Sequence, residues 1–291
     1  MEGGKWEDLT MDVLVNVLER VGIESLLLSI PFVCKSWYKA TLRSECWRRL
    51  DFSEISFNFH FVLRVMDTYH IHNLHATRFV KSVVKRSNRS ATLLTIPSWG
   101  TEEALLYVAR ESPDVRLLVL PYDLSCDHMI KIPNLISNWK NLETVQIGSC
   151  FQMQEVLAQI SNNCKNFFAL TITKASIGST EASAIVNLVP NIRYLDLRHA
   201  WMDRSFVVTI LEGCKKLEYF DIRHCTGFRE GDLEILNLAA NVRKVQTRGF
   251  KVVFTVIKIV DVLIVRMNSI TLTCLINGCL VTRNPYLILL Y

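Results

Sequence analysis

The chain has 291 residues, half of them apolar, with a formal net charge of +5 and nine cysteines. That length suits two modest domains or one elongated one. The balance of apolar and charged residues suits a folded protein and excludes a disordered chain or a strongly basic nucleic-acid binder. The stretch Met1 to Thr10 lacks a basic start followed by an apolar run, so no secretory signal is expected and the chain reads as intracellular, in the nucleus and/or cytoplasm. The cysteines lie at scattered spacings without a C-x-x-C pair, so they are expected to be free and mostly buried thiols.

The first predicted element is a helix on which Val13, Leu14, Val17, Leu18 and Val21 recur at i, i+1, i+4, i+5 and i+8, giving one wide apolar face that Gly22 ends. The following segment, "SLLLSIPFVCKSWYKA", is broken by Pro31 and predicts two short helices. A segment this short cannot bury so many large apolar groups internally, so some of them must face a partner.

Next comes "HIHNLH", where His70, His72 and His75 lie close together without the acidic or cysteine ligands that a metal site needs; solvated or aromatic-packed histidines are expected. The stretch "RFVKSVVKRSNRS" predicts an amphipathic connecting helix, with Phe79, Val80, Val83 and Val84 inward and Arg78, Lys81, Lys85, Arg86 and Arg89 in water. Asn88 begins a glycosylation sequon by pattern only.

From Leu94 onward a repeat is countable. Strings of the form apolar-x-x-apolar-x-apolar, aligned on their second apolar position, give the anchors Leu94, Leu118, Val145, Leu170, Leu195, Phe220 and Val245, separated by 24, 27, 25, 25, 25 and 25 residues. That period is in the range of leucine-rich repeats and outside those of ankyrin, tetratricopeptide and HEAT units. Two residues after the anchors stand Ile96, Leu120, Ile147, Ile172, Leu197 and Ile222, the same-face partners of a period-two strand. Fifteen residues after four of them stand Ile160, Ile185, Ile210 and Ile235, each in a helical pattern. The expected fold is therefore α/β: a helical amino-terminal module, then a solenoid whose parallel strands line the concave side and whose helices cover the convex side. Cys164 and Cys214 align with Val189 and Ala239, and Cys150 and Cys225 with Ala175 and Ala200, so all four are expected to be small core residues.

Two repeats read almost alike, "RYLDLRHA" and "EYFDIRHC". Leu195, Leu197, Phe220 and Ile222 should point into the core, while Asp196, Arg198, Asp221 and Arg223 alternate onto the opposite face, with His199 and His224 at its rim. Two readings stand side by side: a ladder of ion pairs satisfied within the chain, or part of a partner-binding patch that Gln146, Thr171 and Thr173 extend. A catalytic triad is not expected, and no nucleophile-elbow, P-loop or kinase motif occurs. No enzyme activity, metal or cofactor is expected.

The order of Trp6 and Leu9 before the first helix, the Val13–Leu14 pair, Val33-Cys34-Lys35 with Trp37, and Trp47 followed by "LDFS" resembles an F-box. With the cysteine-containing repeats behind it, the chain resembles plant F-box/leucine-rich-repeat proteins. The resemblance implies a non-catalytic, substrate-recognition subunit of a Skp/cullin/F-box (SCF) ubiquitin ligase, which brings a protein substrate near the charged conjugating enzyme. It also implies a Skp-type adaptor as direct partner, and through it a cullin and a RING protein, with neither nucleic acid nor membrane. Adaptor contact would fall to Trp6, Leu9, Thr10, Val13, Leu14, Val17 and Leu18, and to Pro31, Val33, Cys34 and Trp37, while Trp47 packs the module on the next segment. Thr10 stands where F-boxes usually carry proline and is expected to cap the helix. Alternatives are a repeat scaffold that binds a signalling partner without degradation, and a small-molecule co-receptor, for which seven short repeats leave little enclosed room.

The implied organisation is 1–50 F-box, 51–90 helical connection, 91–248 repeats and 249–291 an atypical apolar tail. In that tail the period disappears; it is expected to be either a β-rich cap over the last repeat or a variant end such as read-through of an intron.

Overall fold

A computed structural model describes residues 9–148, 152–229, 232–240 and 242–246. Trp6, Cys150 and the tail from 249 lie outside the described residues. The chain divides into two compact units, one containing residues up to Thr92 together with Trp99–Glu111, the other Leu93–Ser98 and the chain from Ser112.

The first unit is helical. It holds α1 (Met11–Leu18), α2 (Ile23–Leu28), a 3-10 turn at Ile30–Phe32, α3 (Lys35–Thr41), a second turn at Ser44–Trp47, the short strand β1 (Arg49–Asp51), α4 (Phe59–Tyr69), α5 (Ala76–Arg86) and α6 (Glu102–Glu111). Two details differ from the sequence reading. The first helix stops at Leu18, and Gly22, with extended backbone, caps the start of α2 instead of ending α1. Thr10 occupies the N-cap position of α1 with extended backbone, but its hydroxyl makes no capping bond. Pro31 does interrupt the second apolar segment, because a ring nitrogen without a proton cannot continue the helical ladder.

Helix α5 buries Phe79, Val80, Val83 and Val84, but its basic side is not simply hydrated. Lys81 pairs with Glu103 on α6 at 2.5 Å, Arg89 pairs with Glu111 at 2.8 Å, and the Arg86 guanidinium lies 5.0 Å from the centre of the Trp47 ring. Phe57, Phe61, Phe79 and Trp99 form an aromatic cluster within the same unit, with Phe57 and Trp99 stacked at 4.6 Å.

The second unit is a run of strand-helix repeats. Its strands are β2 (Leu93–Thr95), β3 (Leu117–Leu120), β4 (Thr144–Ile147), β5 (Ala169–Ile172), β7 (Tyr194–Asp196), β9 (Tyr219–Asp221) and β10 (Lys244–Gln246), all parallel and paired in that order. Residue-to-residue pairing joins Leu94, Leu118, Val145, Leu170, Leu195, Phe220 and Val245 in one row, so every anchor of the sequence repeat stands beside the next. The helices are α7 (Cys126–Leu135), α8 (Met153–Asn163), α9 (Ser179–Leu188), α10 (Arg204–Gly213) and α11 (Leu233–Ala239), each packed on its neighbour. Ile160, Ile185, Ile210 and Ile235 are buried, as are Cys164, Val189, Cys214 and Ala239 at the helix ends. Such a unit is α/β with the strands in one layer and the helices in the other, because a strand and a helix alone cannot bury both of their apolar faces.

Between strand and helix the repeats add a second small ribbon, β6 (Ser176–Ile177) paired parallel with β8 (Trp201–Met202), which no sequence pattern announced. It is reached through a left-handed residue four positions after the anchor: Lys174 (φ 59°), His199 (φ 60°) and His224 (φ 59°). Histidine is among the residues that enter this region most readily. In the longer repeat, Pro133 falls inside α7, which passes into a 3-10 turn at Ile136–Asn138.

Candidate functional site

Two surfaces are built by these elements, and each is described within its own unit. On the helical module, α1 packs against α3. Because apolar residues on α1 recur at both i+1 and i+4, the apolar arc is wider than one neighbouring helix can cover. Leu14 and Leu18 are in the interior, whereas Val13 is 49% exposed; Val17 and Leu9 are half-buried, and Thr10 is exposed. After the proline break, Val33 is 48% exposed beside the exposed Phe32, Pro31 and Cys34 are half-buried, and Trp37 is buried. Cys34 is the N-cap of α3, with its Sγ 3.0 Å from the Ser36 hydroxyl.

The adaptor-contact set read from the sequence is thereby divided. Val13, Val17, Leu9, Thr10, Pro31, Val33 and Cys34 reach the surface. Leu14, Leu18 and Trp37 are buried within the module. Phe32 and Leu42 are also exposed and large, and the sequence reading did not name them. Phe32 adjoins Pro31, and Leu42 follows α3 as its C-cap, positions where helical periodicity no longer reports which way a side chain points. Trp47 is fully buried and its indole N–H donates to the Thr41 carbonyl at 2.7 Å.

On the repeats, the strand face opposite the helices carries two rows. The row one residue after the anchors is Val119, Gln146, Thr171, Asp196, Asp221 and Gln246; the row one residue before them is Leu117, Thr144, Ala169, Tyr194, Tyr219 and Lys244. Gln146, Thr171 and Thr173 are half-buried. Tyr194 and Tyr219 share this face, with ring centres 6.2 Å apart, and were missed although their parity is that of Asp196 and Asp221.

The duplicated Asp-x-Arg-His forms two copies of one motif. Each Asp accepts the backbone N–H of the Arg two residues on at 3.1 Å. The Arg198 guanidinium forks onto Asp196 through Nε at 3.0 Å and Nη2 at 2.8 Å, and Arg223 forks onto Asp221 at 2.9 and 2.7 Å. Asp221 also accepts the Tyr219 hydroxyl at 2.8 Å and lies 3.7 Å from Arg198 Nε. Its side chain is 0% exposed, so Asp221 is a buried support for the arginines and no contact residue of its own. Hydrogen bonding to the carboxylates raises both guanidinium pKa values. Burial first, then the Asp221 charge, pushes the Tyr219 hydroxyl up as well. His199 and His224 are exposed and stacked, ring centres 4.8 Å apart at 11°.

Among the described residues no group of three or more His, Cys, Asp or Glu is arranged to hold a metal, and no helix is long and apolar enough to cross a membrane. In "HIHNLH", His70 ends α4 in a left-handed turn, and His75 Nε2 lies 3.0 Å from the Asn73 amide.

The described residues form a helical module and a run of stacked parallel strand-helix repeats, and the comparisons with known proteins find both parts in similar proteins. Residues 6–49 match the F-box domain. An F-box/LRR-repeat protein from Arabidopsis thaliana is 27% identical over 76% of this chain and 72% of its own length. The Arabidopsis F-box protein FBW2 is 22% identical over 76% and 68%, and the F-box protein SKIP19 26% identical over 80% and 74%. The chain carries an F-box domain at residues 6–49 and is similar over most of its length, at low identity, to plant F-box/leucine-rich-repeat proteins; the domain implies a Skp-type adaptor as partner.

Proposed function

We propose that this chain is the substrate-recognition subunit of an SCF ubiquitin ligase, with the F-box on a Skp-type adaptor and the strand face of the repeats on a protein substrate. The observation that carries this reading is the exposure of Val13, Phe32, Val33 and Leu42 on a module whose interior is already filled by Leu14, Leu18, Leu26, Ile30 and Trp37. Exposed aliphatic and aromatic anchors on short helices suit a helix-in-groove partner, and burying each is worth about 1.5–3 kcal/mol. Cullin and RING protein would join through the adaptor, and the chain would act by proximity, with no bond chemistry of its own, in the nucleus and/or cytoplasm.

The test is reconstitution. Purified chain should capture a plant Skp-type adaptor and, with cullin and RING protein, transfer ubiquitin to a protein held on the repeats. Capture without transfer would support a non-degradative scaffold; absence of capture would overturn the reading.

A further inference from the structure

The Asp-Arg lattice of the strand face is neutral by count and positive by exposure. Its carboxylates, Asp196 and Asp221, are 16% and 0% exposed, whereas the arginines above them are 32% and 20% exposed. Each arginine spends Nε and Nη2 on its own aspartate; among the described residues, Nη1 of Arg198 and of Arg223 makes no hydrogen bond. Beside them, at the carboxy-terminal ends of three consecutive strands, the left-handed position holds Lys174, His199 and His224, all exposed. The two arginines are held by the fold: the carboxylates clamp the guanidinium planes, and the parallel register repeats them at the strand spacing of about 4.8 Å. A planar guanidinium with spare donors fits carboxylate geometry, and rigidity lowers the entropy lost on binding.

Resting on the reading of the repeats as the substrate-binding part, we propose that Lys174, Arg198, His199, Arg223 and His224 form a recognition rim for an acidic, carboxylate-bearing segment of the substrate. Tyr194 and Tyr219, half-buried on the same strands, supply the amphipathic contact area beside it. The charge surplus decides the choice of carboxylate over phosphate: each arginine is already matched by one aspartate, and Lys174 adds one further positive charge, which suits monoanionic groups better than a phosphate dianion.

The experiment is fluorescence anisotropy on the full chain with labelled extended peptides carrying, at alternate positions, glutamate, glutamine, lysine or phosphoserine. The glutamate peptide should bind about tenfold or more tightly than the glutamine peptide and weaken as salt is raised. Arg198→Gln and Lys174→Gln should each weaken it several-fold; Lys174 is exposed and makes no bond to Asp221, so its variant tests the rim without loosening the fold. Equal binding of glutamate and glutamine peptides, no effect of either variant, or binding of the phosphoserine peptide alone would overturn the proposal. The measurement involves no ligase component. Its failure would leave adaptor capture untouched, and failure of adaptor capture would leave the peptide result standing.

Discussion

Val13 and Leu14 are neighbours on the apolar arc of α1 but differ in burial, Val13 49% exposed and Leu14 1%. Contact with a partner and integrity of the module therefore fall on different residues. Val13→Asp should abolish adaptor capture while leaving the urea midpoint within experimental error, since a charge on an exposed helical site costs little folding energy but is expensive once desolvated. Leu14→Ala should destabilise the chain by about 2–5 kcal/mol and reduce adaptor capture only in proportion to unfolding. Equal melting behaviour of the two variants would refute this division.

Asp221 is the buried member of the Asp-Arg lattice, holding Arg223, the Tyr219 hydroxyl and the edge of Arg198. Asp221→Ala would strand the Arg223 guanidinium and the Tyr219 hydroxyl, while Arg198 keeps Asp196, and should cost about 3–5 kcal/mol by chemical denaturation. Asp196→Ala should cost much less, because Asp196 is part-exposed and Arg198, its ion-pair partner among the described residues, keeps Asp221 nearby. A smaller loss for Asp221→Ala than for Asp196→Ala would contradict the difference in burial.

The repeat architecture was legible because its signal is redundant: anchor, partner two residues on and helix residue fifteen on report the same period, and the paired row from Leu94 to Val245 follows it residue by residue. Side-chain environment was less legible. Periodicity places Asp196 and Asp221 on the same face but cannot show that a second arginine and a tyrosine close over Asp221 alone. Similarly, the apolar arc of α1 contains both Val13 and Leu14, and only the packing of α3 divides them. The left-handed turns at Lys174, His199 and His224 were not legible because lysine carries no such signal and histidine only a weak one beside glycine.

Trp47 joins the F-box to α5, since its indole N–H is bonded to the Thr41 carbonyl and its ring lies under Arg86. Burial lowers the Arg86 pKa, which marks a guanidinium that has exchanged water for an aromatic face. Trp47→Ala should cost about 3–5 kcal/mol. Trp47→Phe retains a ring but leaves the Thr41 carbonyl without this donor, and should cost about 1–3 kcal/mol. Urea unfolding of the two variants checks the order, and a Phe variant as damaging as the Ala variant would assign the ring no part.

Cys46, Cys164 and Cys214, which are buried, and Cys225, which is half-buried and not the core residue its repeat position suggested, make the folded state sensitive to alkali. Burial pushes the Cys46 thiol up from an ordinary 9.0 to about 12, and those of Cys164, Cys214 and Cys225 to about 11. Below pH 9 both folded and unfolded chains keep these thiols protonated, so they impose no pH dependence. Above it the unfolded chain ionises first, and stability should fall as pH rises from 9 through the folded values. The same shifts set reactivity, because the thiolate is the nucleophile: at pH 8 a thiol near pKa 11 is ionised in roughly one molecule in a thousand. Brief iodoacetamide treatment of the native chain should therefore modify the exposed Cys126 well before Cys46, Cys164, Cys214 or Cys225, and urea should erase the difference. Mass spectrometry of the digested protein reads both outcomes, and early labelling of Cys46 in the native state would show that the thiol bonded to the Ala40 carbonyl is not held in the interior.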